Sequence, residues 1–275
     1  MVFSFLKLVF FPVFFYSFCG KFPVIDTHSH IDLPVFADSF TEVLARARTA
    51  GVTAQVLPGV VRDGWQRILQ LSAEESDLFA AIGLHPMYLS HHGSDNLQEL
   101  RRLAQTERLV AIGEIGLDYF VKDVDHSAQQ ELFEAQLAIA AEAGLPVLLH
   151  VRKAHDQVQA TIRRMKFCGG GIVHAFSGSL QQAEQYIKLG FLISVCGTVT
   201  YDRARKIRAV AQVLPLDSLV VETDSPDIPP ASHHGERNYP EFLPDIMVEL
   251  SLLRSESYQE LVSQTEKNSR RMLSL

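Results

Sequence analysis

Cysteine is scarce: Cys19, Cys168 and Cys196 are all that the 275 residues hold, and no two share a CxxC spacing. An odd, scattered set excludes a disulfide framework and a cysteine-built zinc cluster, and it reads as reduced thiols in a cytosolic protein. Positive charge is also short, with 25 Lys and Arg against 32 Asp and Glu and a formal net charge of -7. That balance excludes a protein that coats nucleic acid through bulk basic charge. It does not exclude an enzyme acting on phosphodiesters, because bound divalent cations add local positive charge that a residue count omits. Beyond residue 22 no apolar run reaches the ~20 residues of a bilayer span, so no stable membrane partner is expected. No G-x-G-x-x-G follows the first apolar run, which argues against a dinucleotide-binding open sheet.

The first twenty residues, MVFSFLKLVFFPVFFYSFCG, break from this even composition. The apolar run after Lys7 is too short for an ordinary span, yet it has the length of a signal-peptide hydrophobic region, about 7–15 residues. Pro12 interrupts it and no A-x-A pattern follows. Residues 1–22 are therefore set apart as an apolar extension, with a signal or anchor in residues 1–20, or a packed segment, as the alternatives. Residues 23–275 form one domain, expected in the cytoplasm.

From residue 23 onward short β-branched apolar runs alternate with longer segments of helical period. The runs are PVIDTHSHI, TAQVLPGV, LFAAIGLHP, LVAIGEIGLDY, PVLLHVR, GIVHAFSG, FLISVCG and LVVETDSP. Ser39 with Glu42, and Ser127 with Gln130, have the spacing of capping boxes. Gly51 and Gly144 stand where helices should stop, and Pro146 prevents continuation. Phe133, Leu137 and Ala140 fall on one helical face, and a further helix is expected around Tyr258, Leu261 and Val262. Near-continuous apolar strands alternating with amphipathic helices imply a parallel sheet covered by helices. Eight units predict a single-domain α/β fold, the (β/α)8 TIM barrel, with a doubly wound sheet as the alternative.

Polar residues embedded in those runs carry the chemistry. His28 and His30 stand at i and i+2 of an extended segment and so share a facing, with Asp26 one step deeper. Glu114, His150, His174 and Asp224 are placed at the ends of strands four, five, six and eight. In a barrel these ends converge on one mouth. Each residue alone has a structural explanation, such as a satisfied buried histidine or a solvated acid, but an unpaired buried carboxylate is costly and five strands agree. Six ligands exceed one tetrahedral ion with an open position and suit two divalent metal ions per chain. The expected allocation is His28, His30 and Asp224 on one ion, His150 and His174 on the other, and Glu114 between them. Glu222 and Asp26 are expected as partners of the histidine N–H groups. Four imidazoles suit zinc, manganese, iron or nickel better than magnesium, and the identity stays open among Mg, Mn, Zn and Ni.

DTHSHID, GLHP, GEIGLDY, HVRKA, HAFSG, ETDSP and RNYP, in this order, resemble the TatD-type metal-dependent hydrolases of the amidohydrolase superfamily, from about residue 23 to the C-terminus. The resemblance implies a divalent-metal-dependent deoxyribonuclease of exonuclease type on a distorted TIM barrel, with DNA or another phosphodiester as substrate and the six residues above as ligands. The Phe-rich N-terminus departs from the family pattern.

Asp224 and Glu114 are the expected catalytic residues, Asp224 as general base. His85, outside the ligand set, is assigned to substrate phosphate or leaving group, with a structural histidine before Pro86 as the alternative. Arg152, two beyond His150, is a candidate phosphate clamp, since a guanidinium matches phosphate bidentately. Arg237 and Asn238, in the long loop after strand eight, are candidate substrate-binding residues. His233 and His234 read as loop surface. An ester or amide hydrolase such as an aminoacyl-tRNA deacylase is the alternative enzyme, and a non-catalytic metal-binding barrel the third reading. Few aromatics stand out in the sequence as platforms for unpaired bases.

Overall fold

The alternation is realised as eight parallel strands, arranged in sequence order in one sheet. The computed structural model describes residues 23–122 and 124–275, so the extension at 1–22, with its signal, anchor or packing alternatives, lies outside the described residues. The strands are β1 (Val24–Asp26), β2 (Val52–Pro58), β3 (Leu78–Ile82), β4 (Leu109–Asp118), β5 (Val147–Arg152), β6 (Gly171–Val173), β7 (Phe191–Val195) and β8 (Leu219–Val221). Between them run α1 (Phe40–Ala50), α2 (Arg62–Glu74), α3 (Ser94–Thr106), α4 (His126–Ala143), α5 (His155–Met165), α6 (Leu180–Lys188) and α7 (Arg205–Val213). Two helices follow β8, α8 (Leu243–Leu253) and α9 (Tyr258–Leu273), the latter being the expected terminal helix. Thr27 N–H donates to Val221 O at 3.2 Å across the last gap, so the sheet curls into a nearly closed barrel.

Two apolar layers hold it. The larger packs helix faces, including Phe133, Leu137 and Ala140 of α4, onto the outside of the strands. The smaller draws side chains from every strand from β2 to β8, among them Leu148, Ile172 and Val220, and adds Leu273 of α9. Leu148 and Ile172 lie two residues before His150 and His174, so they share the inward facing and fill the barrel beneath the histidines.

Helix ends follow local chemistry, with two corrections. Gly51 and Gly144 close α1 and α4 in the left-handed conformation, at φ 100° and 67°. Neither expected capping box forms. Ser39 ends a 3₁₀ turn, Pro34–Ser39, that runs directly into α1, and its hydroxyl donates back to Phe36 O at 3.4 Å. Ser127 lies inside the first turn of α4, because Asp125 takes the cap and accepts from Ser127 and Ala128 N–H at 2.8 and 3.1 Å. Among the described residues capping boxes form instead at Ser179 with Gln182 and at Ser257 with Glu260.

Strand β4 is the irregular one, and it corrects the placement of Glu114. It runs on to Asp118, so Glu114 lies in mid-strand and not at its end. The register against β5 slips between Ile112 and Ile115, and Glu114 falls in that slip. Its N–H donates to Gly59 O at 2.9 Å, across the mouth-side end of β2. Both flanking isoleucines stay in the core, so the extra residues turn the carboxylate inward where regular alternation would not. Just beyond, Gly116 has φ 144°, and an added Cβ would stand 2.0 Å from His150 O. Gly116→Ala is therefore expected to destabilise the protein by about 3 kcal/mol or more. The denaturant midpoint reads this out, with Gly64→Ala, whose methyl group meets nothing within 4 Å, as the control. A Gly116→Ala midpoint equal to the wild type would mean that β4 and β5 separate without cost.

Candidate metal centre

At the carboxyl ends of the strands the loops draw one cluster together. The segment after β1 stays extended, with Ser29 N–H donating to Val56 O at 3.0 Å, so His28 and His30 keep a common facing although the strand itself stops at Asp26. The loop after β8 is zipped to it: Asp224 N–H donates to His28 O at 2.9 Å, and His30 N–H donates to Ser225 O at 2.8 Å. Asp224 sits there at φ 60°, a conformation Asp tolerates better than most residues.

Glu114 is the centre of the arrangement. Its Oε2 lies 3.2 Å from His28 Nε2 and 3.7 Å from His30 Nε2. Its Oε1 lies 2.8 Å from both His150 Nδ1 and His174 Nε2, and 3.2 Å from His85 Nε2. Asp224 Oδ1 stands on the Oε2 side, 3.7 and 3.8 Å from His28 and His30 Nε2. His28 and His30 Nε2 are themselves 3.2 Å apart, and the His28 ring stacks on His174 with centroids 4.0 Å apart. Buried nitrogens aimed at one another and at carboxylate oxygens are a poor hydrogen-bonding set and a good donor set for cations. Among the described residues three trios qualify by proximity: His28, His174 and Asp224; His28, His30 and Glu114; and His85, Glu114 and His150.

Burial and the neighbouring charges set the protonation of these groups. Burial alone would raise the Glu114 carboxyl, but His174, His85 and His28 around it and the hydrogen bond from His150 outweigh burial and hold it well below the ordinary value. Burial, with His28 nearby, pushes His30 down to about 3, so its ring is a neutral donor. Burial lifts Asp224 to about 6 against the lowering influence of His174 and His28.

The outer nitrogen of each ring decides which inner lone pair is free. His150 Nε2 lies 3.0 Å from Asp118 Oδ2, which fixes the proton there and turns Nδ1 to the cluster. His174 Nδ1 lies 3.4 Å from Glu222 Oε1, the expected partner, which also accepts from Ala175 N–H. Asp26 is a correction. It reaches no imidazole, and its carboxylate accepts from Thr223 N–H and Oγ1–H at 2.9 and 2.6 Å, fixing the backbone of the β8 loop. His85 differs from the rest: its Nδ1 accepts from Met87 N–H at 3.1 Å, so the proton must be on Nε2, which faces Glu114. Proximity alone makes His85 a candidate ligand, but a protonated Nε2 is a donor and has no lone pair for a metal.

The other three expected substrate residues separate. Arg152 lies at the rim, its guanidinium 3.7 Å over the Phe120 ring. Arg237 is exposed and donates to Val35 O at 3.2 Å, tying the β8 loop to the β1 loop. Asn238 is corrected: it is 0% exposed, and its Nδ2 donates to the carbonyls of Thr223, Asp227 and Ile228. It braces the loop and has no free polar atom for a substrate. His233 stacks on Phe242 at 3.5 Å and contacts Glu236 and Asp245, away from the cluster. Asp118 was missed in the sequence, although it stands four residues after Glu114 in GEIGLDY and shares a strand with it. Among the described residues no helix is long and apolar enough to cross a membrane.

A sequence model described as TatD related DNase matches residues 25–274. The chain is 41% identical over 239 residues to the Escherichia coli metal-dependent hydrolase YjjV, covering 86% of this chain and 92% of YjjV. The crystal structure of YjjV superposes with a TM-score of 0.89, covering 92% of this chain and 98% of that one at 39% identity. A Pantoea sp. protein named 3'-5' ssDNA/RNA exonuclease TatD is 34% identical over 247 residues, 87% of this chain and 95% of that protein. A TatD family hydrolase from Entamoeba histolytica, 22% identical, has the same fold, with a TM-score of 0.82 over 92% of this chain and 98% of that one.

Asp118→Asn tests the orienting role of Asp118. Loss of its charge should weaken metal binding by about 10- to 100-fold with little change in melting temperature. Competition titration against a chelating dye measures this, and unchanged affinity would mean that His150 needs no such partner.

Proposed function

Since the chain belongs to the TatD-related DNase family of metal-dependent hydrolases, we propose that it is a nuclease that cleaves phosphodiester bonds at DNA ends with two divalent ions per chain. The observation that carries the reading is the division of labour at Glu114, whose two oxygens face two different sets of donors. His28, His30, Asp224 and Glu114 Oε2 would hold one ion, and His150, His174 and Glu114 Oε1 the other. Bound divalent ions supply Lewis acidity at the phosphoryl oxygens and make a water acidic enough to be deprotonated near neutral pH. The Pantoea relative's name, with single-stranded DNA and RNA in it, supports a nucleic-acid substrate.

The protein's own groups then divide the remaining work. Asp224, on the His28 and His30 side, accepts the proton of the attacking water at a carboxylate oxygen. His85, with its proton fixed on Nε2, donates a hydrogen bond to a phosphate oxygen or the leaving oxygen. Arg152 at the rim pairs with a neighbouring phosphate.

The test uses EDTA-stripped and metal-restored protein on labelled single-stranded DNA, duplex DNA and a panel of charged tRNAs. Metal-restored cleavage of DNA is the expected result. Faster release of amino acid from charged tRNA would favour a deacylase on the same ligands. Asp224→Asn retains shape and one ligating oxygen but accepts no proton at neutral pH. Turnover should fall about 10²- to 10⁴-fold with a near-normal melting curve. Cleavage within a few-fold of the wild type at matched metal content would remove Asp224 as the base.

A further inference from the structure

Among the described residues seven large apolar side chains are left in solvent, and four of them, Val35, Met87, Tyr88 and Phe120, stand in loops at the carboxyl ends of the strands. Exposed apolar surface gathered at one rim marks a binding face. Two of the four are aromatic and adjoin groups that contact the histidine and carboxylate cluster. The Tyr88 ring, 41% exposed, packs edge-on against His85 with centroids 5.6 Å apart, and His85 touches Glu114. Phe120, 52% exposed, donates its backbone N–H at 2.9 Å to Asp118, the carboxylate that orients His150.

The two loops are locked to each other. Gln129, fully buried on α4, accepts from Asp118 N–H at 3.0 Å through Oε1 and donates to Pro86 O at 3.1 Å through Nε2. One amide thus fixes the loop bearing Phe120 against the loop bearing Tyr88. Rings held in place before a ligand arrives lose little freedom on binding. The Arg152 guanidinium, 3.7 Å over the Phe120 ring, adds a positive charge to the same surface.

We propose that Tyr88 and Phe120, with Arg152, form a nucleobase-stacking subsite that seats the unpaired bases next to the scissile phosphate. The proposal rests on the nuclease reading and names which strands it prefers. Planar rings beside a guanidinium match a chain in which flat bases alternate with phosphates, whereas an uncharged lipid or an apolar peptide would gain nothing from the fixed charge. Bases in a duplex are already stacked on their neighbours, so this surface favours single strands and frayed ends.

The experiment measures binding of a fluorescein-labelled, cleavage-resistant phosphorothioate single strand to the metal-loaded full-length protein. It is paired with cleavage of the ordinary strand and repeated with a strand carrying abasic residues at both ends. Tyr88→Ala and Phe120→Ala should each weaken binding of the normal strand by about 5- to 150-fold. They should raise KM more than they lower kcat, and have little effect on the abasic strand. Phe120→Trp should retain affinity, while Phe120→Leu, equally apolar but without a π face, should lose it. Wild-type cleavage together with unaltered alanine variants, or equal losses on the abasic strand, would overturn the subsite and leave the nuclease reading standing. A wild-type protein that neither binds nor cleaves the strand would overturn both.

Discussion

One buried carboxylate, Glu114, stands among five imidazoles, those of His28, His30, His85, His150 and His174. A carboxylate taken out of water is tolerated only when its charge is met on all sides, and here each oxygen is met by a separate group. The mouth of the barrel is arranged around that requirement. The slip in β4 turns Glu114 inward, and the zipped β1 and β8 loops bring His28, His30 and Asp224 to its one oxygen. Short, regular β5 and β6 present His150 and His174 to the other.

Behind these residues a second set of groups does no chemistry but fixes direction. Asp118 sets the proton position on His150, Glu222 stands 3.4 Å from His174 Nδ1, and Met87 N–H sets the proton position on His85. Asp26 and Asn238 fix the backbone that carries Asp224. The result separates two kinds of histidine in one cluster: those with an inward lone pair, which suit a cation, and His85, whose inward proton suits an oxygen of the substrate.

Much of this was legible in the sequence because strand periodicity is local. Alternation at i and i+2 placed His28 with His30 without knowledge of the fold. Eight repeats of the strand and helix pattern were enough to imply the barrel. What escaped was everything decided by contacts between distant segments or by irregular backbone. Glu114 was put at a strand end because a register slip leaves no trace in residue types. Asn238 was taken for a binding residue because a polar loop position and a buried brace look alike until its three carbonyl partners, on Thr223, Asp227 and Ile228, are in place. Ser39 and Ser127 had the spacing of caps but lost to a preceding 3₁₀ turn and to Asp125. Phe120 and Tyr88 became visible as a rim surface only once Gln129 joined their loops.

The central proposal is that Glu114 would hold two cations, one at each carboxylate oxygen. Loading the protein with Mn²⁺ and recording its electron paramagnetic resonance spectrum tests it directly, since two manganese ions sharing a carboxylate are magnetically coupled. The account requires two ions per chain with a coupled spectrum in the wild type, and loss of the coupling together with metal at both positions in Glu114→Gln. Two ions retained in Glu114→Gln with the coupled spectrum unchanged would contradict it.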